Sequence, residues 1–277
     1  MRFDRLGWVF VIMKVLLLRG KSVNLIICLW FSWLLSIAND YLQGQIKQTV
    51  LLDDEGLRAE LTALSTWQAG ETVSEAAVAT YGLARCFAAE AINDSIFSCM
   101  QGCSYKEGCP VSRDSLRYLR VLHRDAMGMI RMGELVCHVA ISADLLQIFR
   151  ALYDVAYPIE RMRLIDLYEG DDERSMAANN TSAFNFRRVV GSQQLSSHSL
   201  GLAVDVNPLY NPYVRRKKDG SLTVSPQAGM PYADRSATFP YKIEWDDLCY
   251  RLFRQHGFQW GGSWRRVKDY QHFEKIR

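Results

Sequence analysis

The chain has 277 residues, 49% of them apolar and 23% charged, the balance of an ordinary globular protein with a sizeable core. Its formal net charge of +3 sits at one end: residues 1–38 carry Arg2, Arg5, Lys14, Arg19 and Lys21 against Asp4, a surplus of +4, which leaves about −1 (+3 − 4) for the rest. No basic field remains to suggest a nucleic-acid partner.

Taken in chain order, the first element is an export signal. Leu25 to Ala38 is a short apolar run behind Arg19 and Lys21, and Ser36-x-Ala38 is a small-x-small cleavage pattern. The run is shorter than the roughly 20 residues a spanning helix needs. Residues 1–38 are therefore read as a signal peptide, or as a membrane anchor if retained, and the protein is expected in the periplasm or cell envelope. Residues 39–70 read as a linker followed by a helix, with Leu57, Leu61 and Leu64 at helical intervals. The alanine-rich stretch 73–93 also reads as helix, Gly102 to Pro110 as a loop, and Ser112 to Met132 as partly helical. Glu134 to Ala140 suits a short strand.

Ser142 is a candidate cap for a helix whose stripe is Leu145, Leu146, Ile148, Phe149, Leu152 and Tyr153. Met162 to Tyr168 reads as a strand, Glu169 to Thr181 as a polar loop, and Ala203 to Val206 as a second strand. The stretch 207–237 holds Pro208, Pro212, Pro226 and Pro231 and a basic turn at Arg215 to Lys218, and is expected to be loop. Trp245, Leu248, Leu252 and Phe253 mark a last helix, stopped by Gly257. Phe258 to Trp260 and Tyr270 to Phe273 are candidate strands. This uneven alternation favours α+β: a small antiparallel sheet flanked by helices in residues 140–277, behind a mainly helical region at 39–139. Six cysteines follow the signal (Cys86, Cys99, Cys103, Cys109, Cys137, Cys249), an even number open to disulfides within 86–137 or to free buried thiols.

Two stretches carry chemistry. In the first, Ser196 to Asp205, Gly201 allows a sharp turn after His198, and an extended Leu202 to Val206 puts Leu202, Val204 and Val206 on one face and Ala203 and Asp205 on the other. The turn lets His198 and Asp205 face one ion although they are seven apart. Ser197 or Ser199 is placed to support the imidazole. In the second, Lys268 to Phe273, Asp269 and His272 are three apart. Two histidines and a carboxylate form a common open zinc site, in which a position stays vacant for water. Asp269 is either a fourth ligand or, more usefully, the general base for that water. Trp260 and Trp264 suit either a cleft wall or the core; Asp171, Asp172 and Glu173 suit a solvated acidic loop rather than a calcium site, and Glu274 the surface rather than a support behind His272. His123, His138 and His256 lack matching partners and read as surface or satisfied core histidines.

Ser-x-His-x-x-Gly-x-Ala-x-Asp-x-Asn-Pro at 196–208 resembles the zinc signature of the M15 peptidases, which cut bacterial cell-wall peptides. Asn179 to Arg187, Asn207-Pro208-x-x-Asn211-Pro212-Tyr213, Trp260-Gly261-Gly262-x-Trp264 and Lys268 to Phe273 extend the likeness across roughly residues 140–274. The resemblance implies that His198, Asp205 and His272 bind Zn2+, that Asp269 is the general base, and that Arg187 steadies the oxyanion. It implies a peptidoglycan stem peptide as substrate, cut as a D-Ala-D-Ala carboxypeptidase or an L-Ala-D-Glu endopeptidase would cut it. A different class stays open: a zinc-stabilised binding module without catalysis, as the similar hedgehog signalling domain suggests.

Overall fold

The computed structural model describes residues 54–189 and 192–275. The signal or anchor read at 1–38 lies outside them. Among the described residues no helix is long and apolar enough to cross a membrane. Leu57–Arg277 form one compact unit, and residue 139 falls inside it.

After a helix over residues 54–66 (α1), the chain builds a four-stranded antiparallel sheet from β1 (Thr72–Val73), β2 (Ala88–Ala91), β3 (Leu116–Arg124) and β4 (Ile130–His138), in the order β1-β4-β3-β2. Two short helices, α2 (Glu75–Tyr81) and α3 (Asp94–Met100), are capped by the side chains of Ser74 and Asn93. The sheet centres on the β3–β4 hairpin, paired from Leu116↔His138 to Arg124↔Ile130. Its loop is tied by Asp125 Oδ1, which accepts from the amides of Met127 and Met129, both at 3.0 Å.

The mainly helical region expected at 39–139 is thus corrected: Ser112 to Met132 is largely strand. Leu116, Tyr118 and Leu122 face one core with Ile130, Met132 and Val136. Leu119 and Val121, with Leu135 and Cys137, face another. A strand buried on both faces loses its polar alternation, and its apolar positions then mimic helical spacing. Disulfides are also absent among the described residues, where all six cysteines are free thiols. Cys86 belongs to one core and Cys137 to the other.

Strand β4 runs straight into α4 (Val139–Asp154), capped by His138, whose ring accepts from the amide of Ala140, rather than by Ser142. The expected stripe is buried through Leu145, Ile148, Phe149, Leu152 and Tyr153; each such side chain contributes about 1.5–3 kcal/mol on burial. The strand expected at 162–168 shrinks to β5 (Arg161–Met162), followed by a 3-10 turn at Ile165–Tyr168. The expected loop 169–181 holds a one-turn helix, α5 (Asp172–Ala177), capped by Asp171, and then β6 (Asn180–Thr181), parallel to β5. Within 207–237 the basic turn joins a hairpin, β8 (Tyr213–Arg216) and β9 (Leu222–Ser225).

The last helix is α6 (Leu248–Gln255), capped by Asp247. A three-stranded sheet of β7 (Ala203–Asp205), β10 (Gln259–Trp260) and β12 (His272–Glu274) has the order β10-β12-β7, and β11 (Lys268–Asp269) joins the hairpin as β11-β8-β9. Leu202, Val204 and Val206 all point into the core shared with α4 and α6, as the alternation required. The result is α+β with small antiparallel sheets.

Candidate metal centre

His198 sits in a 3-10 turn, Ser197–Leu200, opened by the Ser196 side chain, which accepts from the amide of His198, and closed by Gly201 in the left-handed region at φ +66°. A side chain at Gly201 would begin 2.7 Å from the backbone nitrogen of His138, so both conformation and space demand glycine. The turn is braced there, because the amide of His138 donates to the Gly201 carbonyl at 2.9 Å. His198 is buried, and its Nδ1 donates to the Ala183 carbonyl at 2.5 Å. That bond leaves the Nε2 lone pair facing inward.

Asp205 and His272 come together through strand pairing. β7 and β12 are antiparallel with His272 directly opposite Asp205, so both side chains stand on the same face. His198 Nε2 lies 3.2 Å from His272 Nδ1 and 3.2 Å from Asp205 Oδ2, and His272 Nδ1 lies 3.0 Å from Asp205 Oδ1. On its far side, His272 Nε2 faces Glu274 Oε2 at 3.5 Å. Glu274 in turn accepts a hydrogen bond from the Ser197 hydroxyl, in the turn that carries His198.

These residues fit a zinc ion. Donors about 2.0–2.1 Å from a tetrahedral cation stand about 3.3 Å apart; the two histidine nitrogens are 3.2 Å apart, and each lies 3.0–3.2 Å from one of the two Asp205 oxygens. Two imidazole lone pairs and a carboxylate converging in a buried place repel one another unless a cation or a proton sits among them. The carbonyl and carboxylate behind the two imidazoles fix the tautomers that a metal needs.

The titration of the metal-free cluster shows the same tension. Burial opposes ionisation of Asp205, but His198 and His272 outweigh it and hold the carboxyl well below the usual carboxylate range. Burial also opposes a charge on His272, yet its bonds to Asp205 and Glu274 push it up to about 10. Asp269 goes the other way for a carboxylate: burial raises it to about 6, with Asp205 adding and the histidines subtracting. Its Oδ1 is buried and has no hydrogen-bond partner among the described residues. A side chain at Gly261 would begin 2.8 Å from Asp269 Cβ and 3.3 Å from His272 Cβ, so a bare glycine lets both segments close on the site. The Trp264 ring lies 5.4 Å from that of His272, whereas Trp260 is core.

Arg187 is placed differently. Its guanidinium pairs with Asp172, and its backbone exchanges hydrogen bonds with the Ser199 hydroxyl. Ser199 therefore serves the Arg187 segment and not the imidazole, while Ser197 acts through Glu274. Glu274 thus takes the lesser of its two readings, a support behind His272 rather than a surface residue, as its position two after His272 on one strand allows. The acidic trio is structural: Asp171 caps α5, Asp172 holds Arg187, and Glu173 accepts from Ser225 and Gln227. His123 bonds the Ile159 carbonyl and His256 bonds Asp144, as satisfied histidines do.

Residues 190–275 match the family described as D-alanyl-D-alanine carboxypeptidase, a span that takes in His198, Asp205, Asp269 and His272 and begins just after Arg187. A curated relative, the peptidoglycan L-alanyl-D-glutamate endopeptidase CwlK of Bacillus subtilis (strain 168), is 35% identical over 81 residues. That match takes in 29% of this chain and spans 40% of the relative's length. No solved structure matches. The resemblance to the M15 peptidases holds over this segment.

Proposed function

We propose that the chain, whose residues 190–275 match the D-alanyl-D-alanine carboxypeptidase family, is an exported zinc-dependent peptidase acting on peptidoglycan stem peptides. One observation carries the reading: three donors on His198, Asp205 and His272 converge, each His anchored from behind, beside a buried Asp269 oxygen with no partner among the described residues. A bound Zn2+ would polarise the scissile carbonyl and acidify a water in its open position. Asp269 would accept a proton as the water oxygen adds to the scissile carbonyl, and would pass that proton to the amine nitrogen as the C–N bond breaks. In the metal-free protein burial raises this carboxyl to about 6, so that it can both accept and release a proton near neutral pH. Arg187, released from or shared with Asp172, supplies a guanidinium to the developing oxyanion. The bond cut is the terminal D-Ala-D-Ala link or the internal L-Ala-D-Glu link.

The test is digestion of purified wall peptides by zinc-loaded protein, with the fragments weighed. A single new amine at one of the two links is expected. Inertness towards every stem peptide with zinc bound would sink the enzyme. The pairing of Arg187 with Asp172 favours the second reading in that event, a zinc-stabilised binding module.

A further inference from the structure

A second cleft, of about 490 Å³, is lined by none of the His–Asp–His residues and lies between the start of β4, strand β5 and the tyrosines at 210 and 241. The two places are joined through the backbone: β6 pairs with β5 on one side, and Ser182 just after it exchanges hydrogen bonds with Asp205 on the other. The cleft strand is thus two strand spacings from β7, about 10 Å.

Three guanidinium groups line this cleft, those of Arg131, Arg161 and Arg163. Arg131 is anchored through Nε to Asp125 at 2.9 Å and Arg163 through Nε to Glu134 at 3.0 Å. Among the described residues neither makes a hydrogen bond from a terminal nitrogen. Arg163 is also laid against Gly70, where a side chain would begin 2.3 Å from its Nη1. Arg161 has only a 3.5 Å contact from Nη1 to the Tyr168 hydroxyl, and no carboxylate partner among the described residues. Guanidinium groups held by Nε, with their paired terminal donors unspent, are preorganised for a two-pronged hold on an oxyanion.

The opposite wall is built as firmly. Tyr241 sits in the left-handed region at φ +61°, unfavourable for an aromatic residue. Neighbours pin it there: Asn211 Nδ2 donates to its carbonyl at 2.8 Å and the Ala126 amide to its hydroxyl at 3.2 Å. Its ring lies 5.0 Å from that of Tyr210. Asp125 is consumed by Arg131 and two amides, Glu134 by Arg163, and Glu160 accepts from Asn179, so the cleft offers one guanidinium without a carboxylate, Arg161, beside two ion-paired ones whose terminal nitrogens are unspent among the described residues. Those carboxylates disfavour a dense dianion and suit a ligand that carries single carboxylates along a peptide.

We propose that this cleft is a second ligand site, in which Arg131, Arg161 and Arg163 hold the side-chain carboxylates of an acidic peptide against Tyr210 and Tyr241. The site binds without cutting, and it stands whether or not the metal centre is hydrolytic; acidic stem peptides are its source if the peptidase reading holds.

The test is calorimetric titration of the full zinc-loaded chain with acetyl-Ala-Glu-Glu, its Gln-Gln counterpart and inorganic phosphate. Arg161→Gln is the variant of choice, since Arg161 has no ion pair to lose among the described residues. The acidic peptide should bind at least on the order of tenfold more tightly than the amide peptide, and Arg161→Gln should remove that margin, as loss of a charged hydrogen bond does. Zinc retention against a chelator should not change. Equal binding of both peptides, binding of neither, or an acidic preference that survives Arg161→Gln overturns the proposal. Phosphate that displaces the peptide one for one overturns the carboxylate assignment. Failure of the peptidase reading would look different: no hydrolysis, with the Arg161-dependent binding intact.

Discussion

His123 and His272 are both buried on antiparallel sheets, and burial alone would keep each of them neutral. On the four-stranded sheet His123 has a backbone carbonyl as its partner, and burial drops it to about 4. On the three-stranded sheet His272 meets Asp205 and Glu274, and rises to about 10. The same residue type is a neutral spacer in one core and a charge-seeking donor in the other. The difference lies in what stands opposite it, carbonyl or carboxylate. A buried histidine between two carboxylates and a second imidazole is set up for a cation.

The largest effect that would break this contrast comes from removing a donor. His198→Ala should abolish tight zinc binding, a loss beyond the ~100-fold upper range for an outer partner. Chelator competition measures it, and retained affinity would discard the cluster as the metal site. Asp269→Asn should keep the metal and cost about 10²–10⁴ in turnover of a wall peptide; unchanged turnover removes its role as base. Glu274→Gln leaves His272 without its rear carboxylate and should weaken zinc by about 10–100-fold without unfolding the protein. Ser197→Ala should act in the same direction and less.

The smallest effect is in pH. In the metal-free protein His272 has a folded value of about 10 against 6.5 unfolded, so its stabilisation is complete below pH 6.5 and is lost as the pH rises through 10. His123, at about 4 against 6.5, adds nothing above pH 6.5 and destabilises as the pH falls towards 4, by at most roughly 1.4 kcal/mol per pH unit. Urea unfolding across this range should show both slopes. Zinc should erase the alkaline one, because a metal needs His272 neutral. A metal-free protein with flat stability from pH 7 to 10 would remove the His272 half of the contrast.

The donors were legible in sequence because one turn glycine and one alternation place His198 and Asp205 locally. The pairing of Asp205 with His272 was not, since the register of strands 67 residues apart is set by packing. Glu274 was legible only as one of two readings: its place two after His272 allows a support for the imidazole, but a lone polar strand residue suits the surface as well. The β3–β4 hairpin was hidden because cores on both sides erase the pattern that betrays a strand. Arg187 was found by its neighbours in the motif, but its pairing with Asp172 depends on a one-turn helix whose capping aspartate looked like loop.

The brace between Gly201 and His138 has a practical consequence. Anyone trimming the gene to the recognisable stretch would cut away the strand end on which the histidine turn leans, together with the helix beneath it. A fragment of residues 190–275 would keep all three metal donors and still lose both the His138 brace and the Ala183 carbonyl that fixes the first imidazole.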